Sequence, residues 1–298
     1  MRIAFIGCVQ SSLRALTTLV SMNHDEIELV AVVTKKKSDI NADFVDLTPL
    51  CIKYEIPFHF EKNNEKSLSR EFLARYNPDI IYFFGWSHLL DKALLDMAVH
   101  GVIGFHPAPL PQGRGRHPII WALALGLKET ASTFFLMDEN ADSGPILSQV
   151  PVTIDTHDNA TSLYQKILDI SEKQIIEFSL KLARDEAEFK RQDSSIATYW
   201  RKRTSLDGLI DWRMQAVDIH NLVRALSYPY PGAEFMCQNV SVCLRDSSIA
   251  PDNYSNIIEP GRVLEVKYRK ILVKCGGNSA LWINNLKTNS APAVGDYL

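Results

Sequence analysis

The sequence predicts an α/β fold, in which an open, Rossmann-like parallel sheet is followed by a small β-rich, OB-like domain. Apolar runs typical of buried strands alternate with helical segments over residues 1–137, which favours a parallel sheet with helices on both faces. From Leu209 the pattern changes to short apolar runs separated by Gly, Asn, Asp and Pro. With 298 residues, 46% of them hydrophobic and 22% charged, the chain has globular composition and room for two domains.

Each element of the first part follows from its own residue pattern. Strands are predicted where apolar residues run together, at Arg2–Ile6, Glu28–Thr34, Ile80–Phe84, Val102–His106 and Ala131–Met137. Helices are predicted where apolar residues recur at helical spacing, at Ser12–Ser21, Thr48–Tyr54, Leu68–Tyr76, Leu89–Met97, Pro118–Gly126 and the long segment 158–188. No Gly-x-Gly-x-x-Gly follows the first strand, so the usual motif for a dinucleotide is missing.

The second part begins after a polar, mixed stretch over 191–207. One helix is predicted there, followed by β-like runs that favour a small antiparallel barrel or sheet: Ala216–Leu226, then Val240–Leu244, Gly261–Val266, Ile271–Cys275 and Ala280–Ile283. We therefore predict a catalytic domain over 1–195, a linker over 196–208 and a C-terminal β-rich domain over 209–298.

Charge, hydropathy and cysteine content argue against several classes of protein, namely those that bind nucleic acid, membranes or metal. The balance of 32 Lys+Arg against 35 Asp+Glu gives a formal charge of −3, which disfavours tRNA or another nucleic acid as partner. The sequence shows neither a signal peptide nor an apolar run near the roughly 20 residues of a membrane helix, so we expect a cytoplasmic protein without a membrane partner. Its five cysteines are odd in number and lack paired metal-ligand spacing, so we expect reduced thiols and no metal.

The most informative stretch is 104–118, GFHPAPLPQGRGRHP. His106 lies near the carboxyl end of a predicted strand, which is the sheet edge where open α/β folds bind ligands. The prolines that follow stiffen the loop, because proline fixes φ and lacks a backbone donor. A titratable imidazole on a stiff loop suits acid–base chemistry, although an ordinary surface loop is the alternative.

A second loop offers a partner for this imidazole. Residues 130–147 predict an apolar strand, an acidic turn and a second apolar run, and Asp142 precedes Ser143-Gly144 in the turn. Glycine lets the backbone approach a ligand closely, and a carboxylate there could orient and stabilise a protonated imidazole. The alternative is a turn aspartate that bonds to its own backbone.

Together these motifs resemble the folate-dependent formyltransferases, a family that includes methionyl-tRNA formyltransferase and the nucleotide-sugar N-formyltransferases. The resemblance covers almost the whole chain, and the chain is most similar to the nucleotide-sugar enzymes. The matching segments are Met1–Gly7, the His106 loop through Leu110-Pro111 and Arg114-Gly115, Met137-Asp138 with Asp142–Gly144, Ala197–Tyr199, Ile210–Trp212, Val223–Leu226 and Tyr230-Pro231.

The resemblance implies an N-formyltransferase that moves a formyl group from 10-formyltetrahydrofolate to an amine. In that reaction His106 would assist proton transfer from the amine and stabilise the oxyanion, and Asp142 would support the charged imidazole. One departure matters, because the family carries Asn two residues before this histidine and the chain has Gly104 there. Our candidate for the missing donor is His117; the alternative is a histidine packed beside Pro118.

The resemblance also suggests binding residues. We expect folate along Phe84–Leu90, with the turn 139–144 closing the pterin pocket, and name as contacts Phe84, Gly85, Trp86, Ser87, Leu90, Asn140 and Asp142. Trp86 could instead simply anchor its loop. For the acceptor substrate the predicted contacts are Arg114, Tyr199, Trp200, Arg201, Arg224 and Tyr230. Aromatic rings beside arginines suit a uracil or thymine ring and a diphosphate, although domain packing explains the aromatics equally well.

The acceptor we favour is a nucleotide-linked amino sugar, a precursor of surface glycans. A methionyl-tRNA enzyme is the first alternative, since Lys35-Lys36-Lys37 follows the second strand, but Asp39, Asp43 and Asp46 make this patch mixed and typical of a solvated turn. The second alternative is a catalytically silent relative that binds folate or nucleotide sugar and lost turnover with the asparagine. The oligomeric state stays open, with a homodimer as one option.

Overall fold

The structure is a computed structural model, and it describes residues 1–38, 41–62, 65–86, 90–238, 240–286 and 292–298. Strands and helices alternate along the first half of the chain, as the apolar spacing predicts. In order they are β1 (Arg2–Ile6), α1 (Gln10–Met22), β2 (Glu28–Thr34), α2 (Thr48–Lys53), β3 (Phe58–Phe60), α3 (Lys66–Ala74), β4 (Ile80–Phe83), α4 (Lys92–Leu95), β5 (Val102–His106), β6 (Arg114–Gly115), α5 (Pro118–Ala124), β7 (Glu129–Leu136), β8 (Ile146–Thr153) and α6 (Ala160–Ala183).

The main sheet has seven strands among the described residues, in the order β3-β2-β1-β4-β5-β7-β8. Strands β1 to β5 pair in parallel, while β7 runs antiparallel to β5 with Phe105 opposite Phe134. The predicted Rossmann-like α/β class is confirmed, and the sheet is mixed rather than purely parallel. The reversal puts the end of β5 beside the middle of β7, with His106 opposite Thr133.

Both faces of this sheet are buried, which explains the continuous apolar runs of its strands. Along β1 the side chains alternate, so that Ile3 and Phe5 join one core cluster and Ala4 and Ile6 join another. Helix α6 covers the first face through apolar residues of its second half, including Phe178, whose ring packs against Phe134 at 4.8 Å. The predicted helix 158–188 is thus found, shorter at both ends.

The chain divides into two compact units, each built from several stretches. The first unit comprises Met1–Gly115, Thr130–Val152 and Gln165–Trp200, and the second comprises Arg116–Glu129, Thr153–Tyr164 and Arg201–Leu298. The switch at residues 200 and 201 falls inside the predicted linker, but two earlier stretches also belong to the second unit. The linear domain boundaries at 195 and 209 stay predictions.

The second unit carries the predicted C-terminal β-rich fold. Its described strands form an antiparallel sheet in the order β12-β15-β14-β13 and a separate hairpin of β10 and β11. The remaining elements, with β9 from the first unit, are β9 (Tyr199–Trp200), α7 (Ala216–Ala225), β10 (Ala233–Cys237), β11 (Val240–Leu244), β12 (Ser247–Ile249), β13 (Val263–Lys267), β14 (Lys270–Lys274) and β15 (Ala280–Ile283). Among the described residues, no helix has the length and apolar character needed to cross a membrane.

A buried arginine holds part of the second unit together. Arg224 in α7 is only 8% exposed, and its guanidinium donates to the carbonyls of Asp158 at 2.9 Å and Asp155 at 3.3 Å and to the Asn221 amide oxygen at 2.9 Å. Burial lowers the pKa of Arg224, while the nearby carboxylate of Asp158 raises it. The family resemblance predicts that Arg224 contacts substrate. In the structure its guanidinium donates to neighbouring backbone carbonyls.

We therefore expect Arg224→Met to destabilise the protein. The substitution keeps the length of the side chain but removes the donor to the buried carbonyl of Asp158, which costs on the order of 1–3 kcal/mol. Urea denaturation followed by circular dichroism measures the loss. Arg245→Met is a matched control, because Arg245 also donates to two carbonyls, at Tyr230 and Pro231, from an exposed position. Equal stability loss in the two variants would contradict a special role for the buried arginine.

Candidate active site

The site begins at the end of β5, where the chain leaves the sheet through Pro107. His106 is the last residue of the strand and is 5% exposed. Its Nε2 donates to the backbone carbonyl of Gly113 at 2.7 Å, because a carbonyl can only accept. This contact joins the start of the proline loop to its far end and fixes the plane of the ring. The remaining ring nitrogen, Nδ1, faces the loop that contains Asp142.

That loop connects β7 to β8, and its turn residues determine its shape. Asp138 starts it by accepting from the Asn140 amide at 2.9 Å and from the Ser143 hydroxyl at 2.7 Å. Asp142 has a left-handed backbone, with φ of 54°. At Gly144 a Cβ would lie 1.8 Å from the carbonyl oxygen of Leu136, so a side chain cannot be accommodated there. The turn itself thus requires glycine at position 144.

The turn brings a carboxylate to the imidazole. Asp142 Oδ2 lies 3.7 Å from His106 Nδ1 and accepts from the Gly115 amide at 2.8 Å. The first distance is too long for a hydrogen bond but close enough for a charge on the ring to be attracted. With Nε2 committed to Gly113, Nδ1 is the nitrogen at which the ring can take up a proton. The structure therefore places the two predicted catalytic residues together.

Three of the predicted substrate residues meet beside this pair. Strands β6 and β9 pair in parallel, with Arg114 opposite Tyr199 and Gly115 opposite Trp200. Arg114 is 2% exposed, donates to the Tyr199 hydroxyl at 2.8 Å and lies over its ring at 5.6 Å. The Trp200 ring covers Gly113, where a Cβ would lie 2.6 Å from it. Tyr199 remains 65% exposed, so its ring is the accessible part of this group.

His117 belongs to the second unit and stands at the start of α5 with a left-handed φ of 58°. Its Nδ1 accepts from the Arg203 amide at 3.3 Å, so its proton resides on Nε2. Burial is the largest cause of its lowered pKa, and the positive charges of Arg116, Arg203 and Lys202 lower the pKa further. A neutral ring with an Nε2–H is the form that a hydrogen-bond donor requires; its catalytic role stays a prediction.

The same unit contains an aromatic group that the sequence did not single out. Trp121 lies under two guanidinium groups, those of Arg201 at 5.4 Å and Arg203 at 4.7 Å, and its Nε1 donates to the Arg201 carbonyl at 3.0 Å. Arg201, a predicted substrate contact, also forms a two-point ion pair with Asp207, which lowers the pKa of that carboxyl strongly. Of the other predicted contacts, Tyr230 offers its carbonyl to Arg245 at 2.6 Å.

The segment predicted to bind folate lies in the first unit. Phe84 is buried, with its ring edge-on to Phe5 and Phe134, and Gly85 has a positive φ of 68°. Trp86 carries the ammonium of Lys35 over its ring at 4.4 Å. Ser87 lies outside the described residues. A small cavity lies beside this segment, lined by Ile6, Glu61, Lys66, Ser69, Phe83, Trp86, Leu90 and Leu94.

Gly104 has a reason to be glycine that differs from the expected one. Its φ is not positive; instead, a Cβ would lie 2.8 Å from Met137 Cγ and 3.0 Å from Phe135 Cζ. The thioether side chain of Met137 thus fills the space that a side chain at 104 would need. The sequence could not reveal this, because Met137 comes from the antiparallel neighbour of β5.

Comparison with known proteins identifies the family. Residues 1–178 match the formyl transferase family, and residues 202–295 match the formyl transferase C-terminal domain. The chain belongs to the formyl transferase family. The resemblance seen in the sequence, and with it the prediction of an enzyme of formyl transfer, is confirmed.

This formyl transferase also shares its fold with solved structures. WlaRD, a sugar 3N-formyl transferase solved in the presence of dTDP and 5-N-formyl-THF, is 15% identical with a TM-score of 0.74, over 98% of this chain and 99% of that one. An N-formyltransferase from Helicobacter canadensis, in complex with folinic acid and dTDP-3-aminofucose, is 14% identical with a TM-score of 0.72, over 95% and 98% of the two chains. Methionyl-tRNA formyltransferase from Clostridium thermocellum is 18% identical with a TM-score of 0.62, over 83% and 93%.

Proposed function

We propose that this formyltransferase moves a formyl group from 10-formyltetrahydrofolate to the amine of a nucleotide-linked amino sugar. The observation that carries the transfer chemistry is the pairing of the buried His106 with the partly buried Asp142, whose Nδ1 and Oδ2 atoms are 3.7 Å apart. Support for a sugar acceptor comes from two neighbours of similar fold and full length, each solved with dTDP or a dTDP-sugar. The formal charge of −3 agrees better with a small acceptor than with tRNA.

The chain's own residues give the mechanism. The bound folate supplies an activated one-carbon group. An attacking amine must be neutral and must lose a proton as the new bond to carbon forms, and His106 Nδ1 receives that proton. Asp142 then stabilises the charged ring by attraction, while the Gly113 carbonyl keeps Nε2 in place. The charged ring in turn stabilises negative charge that develops on the formyl oxygen. As the bond between the formyl carbon and the folate nitrogen breaks, the ring would give its proton to that leaving nitrogen and become neutral again.

The first unit has a cavity whose chemistry fits a pterin. Trp86 and Leu90 give it apolar walls, as a flat ring system requires. Glu61 contributes a buried oxygen, Oε1, that has no hydrogen-bond partner among the described residues, while its Oε2 accepts from the Ser69 hydroxyl at 3.0 Å. An unpaired buried acceptor is costly unless a ligand satisfies it, and the pyrimidine edge of a pterin carries N–H donors.

The exposed ring of Tyr199 supports a nucleotide as part of the acceptor. A pyrimidine base can stack on such a ring, which the Arg114 contact holds from behind. In the second unit, Trp121 with Arg201 and Arg203 offers a ring and positive charge of the kind that a diphosphate requires.

One assay tests the proposal and its alternatives. The purified protein is incubated with 10-formyltetrahydrofolate and, in separate reactions, with dTDP- and UDP-linked amino sugars or methionyl-initiator tRNA, and formylated product is measured by mass spectrometry. Product with a nucleotide sugar supports the proposal, and product with tRNA alone overturns the acceptor. Folate binding by calorimetry without any product would identify a silent binding protein.

The missing asparagine leads to a prediction about His117. If His117 supplies the lost donor, His117→Ala should lower kcat nearly as far as His106→Ala does, on the order of a hundredfold or more. Thermal melting and folate binding establish that the variant is folded. Unimpaired kcat in folded His117→Ala would reject this role and leave backbone amides or ordered water as donors.

The same prediction extends to restoring the family residue. Gly104→Asn alone should disturb the fold, because Met137 occupies the space. Adding Met137→Ala makes room, and in the His117→Ala background this pair should recover part of the lost kcat. Met137→Ala alone is the control. A restored asparagine that fits, as judged by thermal melting, yet recovers nothing would contradict the idea that His117 replaces the donor of the missing asparagine.

A further inference from the structure

We propose that Gln192 is a positioning residue for formyl transfer, which holds the Asp142 loop in the shape that presents its carboxylate to His106. The inference rests on the function proposed above. Gln192 lies in the polar, mixed stretch after α6, where the sequence pattern gives it no predicted role. The structure instead places its partly buried amide between the Asp142 loop and β6.

The amide nitrogen of Gln192 serves the Asp142 loop. Its Nε2 donates to the carbonyl of Asp142 at 2.9 Å and to the carbonyl of Gly144 at 2.7 Å. Both hydrogens of the amide are therefore used within one turn. The contacts hold the backbone on both sides of Ser143.

The amide oxygen of Gln192 serves the strand on the other side. Its Oε1 accepts from Arg114 Nη2 at 2.8 Å and Nε at 3.2 Å. Arg114 is 2% exposed, so water cannot satisfy its guanidinium, which needs hydrogen-bond acceptors within the protein. The next residue along, Gly115, donates its amide to Asp142 Oδ2 at 2.8 Å. Gln192 thus closes a ring of contacts that runs through Arg114, Gly115 and Asp142.

The loop needs such a restraint. A non-glycine residue with a left-handed backbone costs on the order of 1 kcal/mol or more, and it persists only where the surroundings enforce it. Asp142 has this backbone, and the direction of its side chain depends on it. Without the Gln192 contacts the turn can relax, and the carboxylate then leaves both Gly115 and the imidazole.

Two substitutions separate the two halves of the amide. Gln192→Glu keeps an oxygen acceptor for Arg114 but replaces the donor to Asp142 and Gly144 by an oxygen that repels their carbonyls. Gln192→Met removes both halves at similar length. We expect each to lower kcat by about tenfold to a hundredfold, the effect of a misplaced catalytic group, with KM for folate and acceptor little changed.

A readout independent of activity follows from the Gly115 amide. Hydrogen exchange of this amide, measured by NMR on the protein without ligands, should speed up in both variants because its acceptor Asp142 Oδ2 moves away. Gln174→Met is the matched control. Gln174 Nε2 also joins two segments of the sheet, donating to the Ser132 carbonyl at 3.1 Å and the Ser148 hydroxyl at 2.8 Å, but does not touch the Asp142 loop. It should lower the melting temperature without changing kcat or Gly115 exchange.

A double-mutant cycle decides whether Gln192 acts through Asp142. In an Asp142→Asn background, Gln192→Glu should lower kcat no more than about twofold further, since coupled residues are not additive. Full multiplication of the two losses would overturn the proposal, as would unchanged Gly115 exchange in Gln192→Glu. If the unmodified protein formylates no acceptor but Gln192→Glu still speeds Gly115 exchange, the positioning stands and the proposed reaction fails.

Discussion

His106→Ala should lower formyl transfer by roughly a hundredfold to ten-thousandfold, the range for loss of a positioned acid–base group. In the proposed mechanism this imidazole takes the amine's proton, and the structure shows its ring held by the Gly113 carbonyl and faced by Asp142. Steady-state kinetics under saturating folate and acceptor measures the loss in kcat.

The sequence led us to expect a loop histidine whose removal leaves the fold intact. Because His106 is 5% exposed, its removal also leaves the Gly113 carbonyl without a donor, at a cost of about 1–3 kcal/mol. His106→Gln is therefore the matched variant, since its amide can still donate to Gly113 but cannot transfer a proton. Near-normal turnover in folded His106→Gln would place the chemistry on another group.

Asp142→Asn should lower kcat by on the order of a hundredfold to ten-thousandfold, comparable to the same change in other carboxylate–histidine pairs. The asparagine oxygen can still accept from the Gly115 amide, so the loop keeps its anchor. The neutral side chain no longer attracts a charged imidazole, so the protonated form of His106 loses its stabilisation.

Calorimetry with the nucleotide sugar tests the same variant at the level of binding. We expect sugar affinity to change little, because the carboxylate acts on the imidazole. Abolished sugar binding with full turnover at saturation would instead make Asp142 a substrate ligand.

Elements with a strong local pattern were predictable from the sequence. Strand β11 and strand β15 have the predicted bounds, Val240–Leu244 and Ala280–Ile283, because short apolar runs there are bounded by polar turn residues. The reversed direction of β7 was not predictable, since an apolar run does not encode the direction of pairing. Helix α4 is also shorter than predicted, at Lys92–Leu95.

In the candidate site, too, some residues were predictable from the sequence and others were not. Its two central residues were predictable because each lies in a loop whose glycine and proline content sets its shape: His106 before Pro107, and Asp142 before Gly144. Gln192 and Trp121 were missed, because each matters only through partners that are distant along the chain. Gln192, for example, contacts Arg114, and no local pattern marks such a pair. The signal near Gln192 was a polar stretch with an aromatic pair, which is equally typical of a linker.

The pairing of β6 with β9 has a consequence for dividing the protein experimentally. A fragment that ends at residue 195, at the predicted domain boundary, lacks Thr198 and Trp200. The Gly113 amide then loses its acceptor, the Thr198 hydroxyl at 2.9 Å, and Gly113 also loses its contact with the Trp200 ring. Since the Gly113 carbonyl orients His106, such a truncated enzyme would retain its sheet while its imidazole turns, whereas a fragment ending beyond Trp200 keeps the ring in place. The segment 196–200 therefore also helps to keep the imidazole of His106 oriented.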